Sequence, residues 1–188
     1  MRHILLTGGS SGIGFEAAAL LLQAGHRLTV PCRDAATAAA LRRRLSGRLH
    51  TRICDLADLA SVEHCAAALL AAAEPIDTLV LNAGLQYSGA SEPRWSAQGF
   101  ELTLAVNHLA HQALLQRLLP LLLSSAAARL VVTASEVHDP GTPGGRVGQP
   151  PAWGTWPACA RGPAPRCWMA AAPSTPRRPT RTASSATC

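Results

Sequence analysis

The sequence predicts an α/β fold, a doubly wound parallel sheet that is incomplete at its C-terminal side and runs into a disordered Pro/Arg-rich tail. Three observations predict it. Residues 1–139 alternate short apolar β-type runs with longer Ala/Leu-rich stretches of helical length. A glycine-rich run stands between the first strand and the first helix. Beyond Asp139 the alternation stops: residues 1–139 hold 11 Arg and 11 Asp+Glu, whereas residues 140–188 hold 6 Arg, no acid and 10 of the 14 prolines, so the formal charge of +6 sits in the tail.

In order, strands are expected over 2–7, 27–32, 49–54, 77–82 and 129–135, each short, apolar and rich in residues that suit a buried pleat. Helices are expected over 12–24, 35–46, 59–73 and 96–123, with Pro120 kinking or ending the last. The order βαβαβαβαβ implies right-handed crossovers, helices on both faces and ligands at the carboxyl ends of the strands. Residues 1–139 are therefore expected to be one domain. Residues 140–188, with runs such as Pro-Gly-Thr-Pro-Gly-Gly, have neither periodicity nor enough apolar side chains to offset chain entropy.

Composition excludes several functions. The chain has no lysine and a single tyrosine, Tyr87, so a catalytic lysine, or a tyrosine late in the chain, is ruled out for these 188 residues. Cys32, Cys54, Cys65, Cys159, Cys167 and Cys188 form no metal-ligand spacing and are expected to be reduced thiols, with no metal site. His108, His111 and His138 lack carboxylate or cysteine partners at metal spacing and are expected to be packing or surface residues. No apolar run approaches the ~18 residues of a membrane span, so no transmembrane segment and a cytoplasmic location are expected. The six tail arginines lack interleaved aromatics on a folded face, so no nucleic-acid partner is expected.

The chemistry starts at Thr7-Gly8-Gly9-Ser10-Ser11-Gly12-Ile13-Gly14, between strand and helix. Glycines there allow a tight turn and let backbone N–H groups approach a pyrophosphate at the positive helix end. The second strand ends Cys32-Arg33-Asp34, so a thiol stands where an acid would select the unphosphorylated ribose. Arg33 can meet a 2′-phosphate, which favours NADPH, or be a solvated charge beside Asp34.

Thr-Gly-x-x-x-Gly-x-Gly resembles the short-chain dehydrogenase/reductase family, whose fold is of the Rossmann type. Further matches follow in order. Asp55-Leu56 resembles the family's aspartate that bonds the adenine amino group, although Asp55 could instead cap the helix beginning near Leu59. Asn82-Ala83-Gly84 resembles the Asn-Ala-Gly that lies beside the cofactor. Asn107, in Val106-Asn107-His108, looks like the helix asparagine of the catalytic tetrad, and Ser135 like the substrate-binding serine that closes the fifth strand. The resemblance implies a cofactor site of Thr7, Gly8, Ser10, Ser11, Gly12, Ile13, Gly14, Arg33, Asp55, Leu56, Asn82, Ala83 and Gly84, with Asn107 and Ser135 catalytic.

It also implies a Tyr-x-x-x-Lys after the serine, the tyrosine donating a proton and the lysine lowering its pKa. The chain has none, and Tyr87 lies too early to replace it. A one-base slip in the reading frame near residues 149–152 would explain both the composition break and the loss. Let each new codon take the last base of one codon and the first two of the next. Residues 179–188 can then read Y-K-D-S-K-L-C-N-V, residues 173–179 can supply F-D-A-E-K-A before it, and residues 153–159 can read L-G-D-L-A-G-L. The C-terminal part is thus expected to be out of frame and truncated, and the chain as written inactive.

These strings, with Glu92-Pro93-Arg94 and Gly99-Phe100-Glu101-Leu102 ahead of Asn107-His108-Leu109, look like the light-dependent protochlorophyllide oxidoreductases. There hydride from NADPH reduces a ring double bond of the photoexcited pigment. Ala110 departs from that pattern, where a glycine is usual, and Gly-Phe-Glu and Asn-His-Leu are shared with retinol-dehydrogenase-like members. The narrower resemblance implies protochlorophyllide as the small-molecule substrate, a site peripheral to photosynthetic membranes, and leaves oligomerisation of the intact form open. The alternatives are an NADPH-dependent carbonyl or retinol-type reductase, and a catalytically dead NADPH-binding remnant.

Overall fold

Alternation along β1 (His3–Leu6) creates two cores, because Leu5 faces one side of the sheet and Ile4 and Leu6 the other, all nearly inaccessible to solvent. The computed structural model describes residues 1–86, 92–135, 139 and 141–143. In chain order there follow α1 (Gly12–Gln23), β2 (Arg27–Cys32), α2 (Ala35–Arg44), β3 (Leu49–Ile53), α3 (Leu59–Ala72) and β4 (Thr78–Leu81). A three-residue helical turn α4 (Leu102–Leu104), a π-helical turn (Ala105–Leu109), α5 (Ala110–Leu123) and β5 (Arg129–Val132) complete it.

All four strand pairings are parallel, in the order β3-β2-β1-β4-β5. Helices α1 and α2 supply Ala18, Leu22, Ala38 and Leu41 to one core, while α3 and α5 supply Val62, Ala66, Leu114 and Leu118 to the other. The sheet is thus wound on both faces, as expected, and the carboxyl ends of its strands share one side. The chain divides into a unit over Met1–Gly148 and a second over Gln149–Cys188. The second lies outside the described residues, as does nearly all of the segment expected to be disordered.

Local chemistry sets the helix ends. Gly25, at φ +78°, turns the chain out of α1, with the Gly25 and His26 N–H groups donating back to the Leu22 and Leu21 carbonyls at 3.0 and 3.1 Å. Asp34 caps α2 by accepting from the Thr37 N–H at 2.7 Å, and Arg42, Arg43 and Arg44 complement the dipole at its far end. Asp58, not Asp55, caps α3, accepting from the Ala60 N–H at 3.0 Å. Gln98 seals the same end from outside: its amide nitrogen donates to Asp58 Oδ1 at 2.6 Å and its amide oxygen accepts from the Leu59 N–H at 3.0 Å. These contacts hold the Asp58 carboxyl below the usual carboxylate range. Asp58→Ala is therefore expected to lower the midpoint of urea unfolding, while Asp58→Asn keeps most of the cap; equal midpoints for all three proteins would contradict the capping role.

The expected helix over 96–123 is a correction. Residues 96–101 form a turn in which the Ser96 N–H donates to the Phe100 carbonyl at 2.8 Å and the Gly99 N–H to Ser96 at 2.9 Å. Gly99 sits at φ +77°, outside helical space, so the helix starts at Leu102, with Glu101 accepting from the Leu104 N–H at 2.8 Å. Pro120 does not end α5, which continues to Leu123 before the Ser124 N–H returns to the Pro120 carbonyl at 3.1 Å. In the last turn a missing N–H costs only one intrahelical bond.

Strand β5 is exposed along its whole length, with Leu130, Val131 and Val132 all open to solvent at the sheet edge. Cys32, Cys54 and Cys65 are buried free thiols; the remaining cysteines lie outside the described residues, as do Tyr87 and His138. Among the described residues no helix is long and apolar enough to cross a membrane, and no group of three or more His, Cys, Asp or Glu is arranged to hold a metal ion.

Candidate functional site

The site begins where β1 ends. Thr7 is fully buried, and its hydroxyl oxygen accepts from the Asn82 and Ala83 N–H groups at 2.9 and 3.0 Å, fastening the end of β4 to the glycine loop. The Asn82 amide nitrogen donates to the Thr7 carbonyl at 3.3 Å, and its oxygen accepts from the Thr133 hydroxyl at 3.2 Å. Asn82, at the end of β4, thus links the Thr7 backbone at the end of β1 to the Thr133 side chain just past β5.

The loop packs tightly where it meets this network and is open where it faces solvent. Gly8 has φ +72°, and a Cβ there would lie 2.7 Å from Ala83 Cα. A Cβ on Gly14 would overlap the Gly8 carbonyl and lie 2.6 Å from the Asn82 amide nitrogen. Gly12, at φ +53°, meets nothing within 4 Å. Next to it Ser11, the N-cap of α1, makes no side-chain capping bond, and Ile13 is 82 % exposed. The first turn of α1 therefore presents N–H groups and the positive helix end to an open face over Gly12. Such a face fits a pyrophosphate.

Arg33 follows β2 on the same side of the sheet. Its guanidinium is exposed and pairs with Asp34 at 3.2 Å. Cys32 before it is buried, and burial pushes its thiol up to about 11. It is neutral at physiological pH and brings no negative charge against a phosphate. Asp55, just past β3, binds its own loop: its carboxylate accepts from the Ala57 N–H at 2.9 Å and its N–H donates to Ser61 Oγ at 2.9 Å. Leu56 is half-buried and packs on the α3–α5 core.

Asn107 lies in the π-helical turn, not in regular helix. Its side chain grips Leu85, accepting from the Leu85 N–H at 2.7 Å and donating to the Leu85 carbonyl at 3.0 Å, directly after Gly84. Ser135 departs from expectation by standing three residues beyond β5, which ends at Val132, exposed and outside regular secondary structure. Ser10 is half-exposed on the loop. The structure therefore brings together Thr7, Gly8, Gly14, Asn82 and Ala83, with Asn107 beside Gly84, while Arg33 and Asp55 hold neighbouring strand ends.

Sequence reasoning missed two members. Thr133 carries no motif. His111, expected to be packing or surface, is buried and bonded at both ring nitrogens, to Thr7 at 3.0 Å and to the Asn107 carbonyl at 3.2 Å. Its place four residues after Asn107, on the same helical face, was the available signal.

A glycine loop joining the central strand of a parallel 3-2-1-4-5 sheet to its first helix defines a protein of the Rossmann class. The chain belongs to the short chain dehydrogenase family, whose model matches residues 2–147. Retinol dehydrogenase 14 of Mus musculus is 37% identical over 155 residues, covering 74% of this chain and 46% of that protein. Protochlorophyllide reductase of Avena sativa is 36% identical over 150 residues, covering 77% of this chain and 48% of that protein. The chain spans about half the length of the curated relatives it matches. Among solved structures, the Pseudomonas aeruginosa RhlG/NADP active-site complex superposes with a TM-score of 0.64 at 35% identity, covering 75% of this chain and 57% of that one. An alcohol dehydrogenase from Thermococcus sibiricus complexed with 5-hydroxy-NADP superposes with a TM-score of 0.63 at 27% identity, covering 78% of this chain and 63% of that one.

Proposed function

We propose that residues 1–139 are the NADPH-binding domain of a short-chain oxidoreductase whose reaction resembles that of the light-dependent protochlorophyllide reductases. The observation that carries the cofactor reading is the open face over Gly12 and the α1 N-terminus, backed by the close-packed Gly8 and Gly14. Its solved neighbours include complexes with NADP and a 5-hydroxy-NADP, which supports the same cofactor here.

NADPH would supply a hydride when bound; the chain's residues would bind and orient it. Backbone N–H groups around Ser10, Ser11, Gly12 and Ile13 would take the pyrophosphate, and Asp55 with the backbone at Leu56 the adenine. Thr7 would hold Asn82, Ala83 and Gly84 along the nicotinamide side, where Asn107 and Ser135 would meet the substrate. Arg33 would exchange Asp34 for the 2′-phosphate: an exposed ion pair in water is weak, whereas guanidinium and phosphate pair through two parallel charge-assisted bonds. For the 188 residues as written the proposed activity is binding without turnover, since no Tyr-x-x-x-Lys follows Ser135.

Arg33→Ala is expected to weaken NADPH binding by about 10- to 100-fold at low salt, one to two bidentate-contact equivalents, while leaving NADH binding unchanged. Isothermal titration of both cofactors into both proteins reads this; equal NADPH affinity in the variant would refute the 2′-phosphate role.

The retinol-type reading stands beside the pigment reading because the mouse retinol dehydrogenase and the oat protochlorophyllide reductase are similar to this chain to the same degree. Titrating protochlorophyllide, in the dark, and all-trans-retinal into the NADPH-loaded chain separates them. Saturable binding of the pigment alone supports the first, and of retinal alone the second.

A further inference from the structure

We propose that His111 is a positioning residue for the nicotinamide half of the cofactor site, the link that joins the two holders of the 82–85 segment. The inference rests on the reading that this site takes NADPH.

Counting protons and lone pairs fixes the state of the ring. Thr7 Oγ1 has one proton and two lone pairs, and the Asn82 and Ala83 N–H groups occupy both lone pairs at 2.9 and 3.0 Å. Its own proton must then go to an acceptor. Two are in reach: His111 Nε2 at 3.0 Å and the Val80 carbonyl at 3.4 Å, the latter already taking the Thr7 N–H at 3.0 Å. The shorter contact wins, so Nε2 carries no proton and Nδ1 does. Nδ1–H in turn donates to the Asn107 carbonyl at 3.2 Å. Every donor has one acceptor, and the ring is neutral.

The consequence is a closed circuit. Thr7 holds the segment at Asn82 and Ala83, Asn107 holds it at Leu85, and His111 ties Thr7 to Asn107. Without the ring, the end of β1 and the π-helical turn would be fastened separately, and the segment between their grips would be free to shift. Burial also holds the imidazole below its ordinary range, which keeps it neutral at physiological pH; among the described residues the charged neighbour acting on it is His108, one place after Asn107, and a proton there acts in the same direction.

Two variants and one spectrum test this on the full 188-residue chain. His111→Leu fills the site with an apolar side chain and removes both bonds; His111→Gln offers an amide oxygen for the Thr7 proton. NADPH affinity is expected to fall about tenfold in His111→Leu and to recover most of that in His111→Gln, while affinity for 2′,5′-ADP, which lacks the nicotinamide half, stays within about twofold. A purely structural role would weaken both ligands alike, and that result, or unchanged NADPH affinity in His111→Leu, overturns the proposal. Imidazole nitrogen NMR of the ligand-free chain gives a second readout: the Nδ1–H tautomer of neutral His111 is expected, and the Nε2–H tautomer overturns the circuit. Wild-type chain that binds neither ligand sinks the cofactor reading itself, a different result from one in which binding is intact and His111 is indifferent.

Discussion

Gly14→Ala is expected to eliminate measurable NADPH binding, a loss of roughly 100-fold or more, and to destabilise the fold. Inside a helix the exchange ordinarily gains about 1 kcal/mol. Here the new methyl would overlap the Gly8 carbonyl and sit 2.6 Å from the Asn82 amide nitrogen, and neither is the free end of a flexible chain. Overpacking of this kind costs about 1–3 kcal/mol and moves backbone, which outweighs the propensity gain. Gly12→Ala provides the contrast. Its methyl meets nothing within 4 Å, and an alanine at φ +53° costs about 1–2 kcal/mol of backbone strain without displacing a neighbour, so the fold survives while the open face is partly covered. Denaturation midpoints and NADPH titrations of the two variants should diverge: Gly14→Ala loses both, Gly12→Ala mainly binding. Two variants that bind as wild type would show that the loop does not hold the cofactor.

Thr7→Val is expected to be the most destabilising isosteric change in the site. It leaves no cavity, yet it removes the acceptor of the Asn82 and Ala83 N–H groups and the donor to His111. Each polar group stranded away from water costs about 1–3 kcal/mol, so a total of about 2–4 kcal/mol is expected after allowing for the partial exposure of Asn82 and Ala83. Against a typical stability of about 5–15 kcal/mol that is a large fraction. Thr7→Ser keeps the oxygen and loses one methyl, about 1 kcal/mol. Urea unfolding of the three proteins checks the order; a valine variant as stable as the serine one would mean that the hydroxyl network contributes little.

Much of the sheet was legible because its inner strands β1, β2 and β4, buried on both faces, read as apolar runs. Their centres match, β2 matches at both ends, and the largest difference is at β5, whose last bond to β4 is that of the Thr133 N–H to the Leu81 carbonyl at 3.0 Å, short of Ser135. The glycine loop was legible because its chemistry is local. What was not legible depends on contacts between distant residues. Gly99 falls inside the stretch expected to be helical, and the antiparallel bridge of Trp95 with Glu101 closes that stretch into a turn. The π-helical turn carries the Asn107 side chain that reaches Leu85, 22 positions away, and Thr133 matters because β5 lies beside β4. The identity of the α3 cap turned on three residues: Asp55 and Asp58 are equally good cap residues, and the contact with Gln98 goes to Asp58. For the same reason His111 read as packing, since the hydroxyl it serves is 104 positions away.

The most direct measurement is calorimetric titration of NADPH and NADH into the 188-residue chain at low ionic strength. One saturable site that prefers NADPH by about tenfold or more is predicted, from the open Gly12 face and the Arg33 guanidinium. No saturable binding of either cofactor, or a preference for NADH, would contradict it.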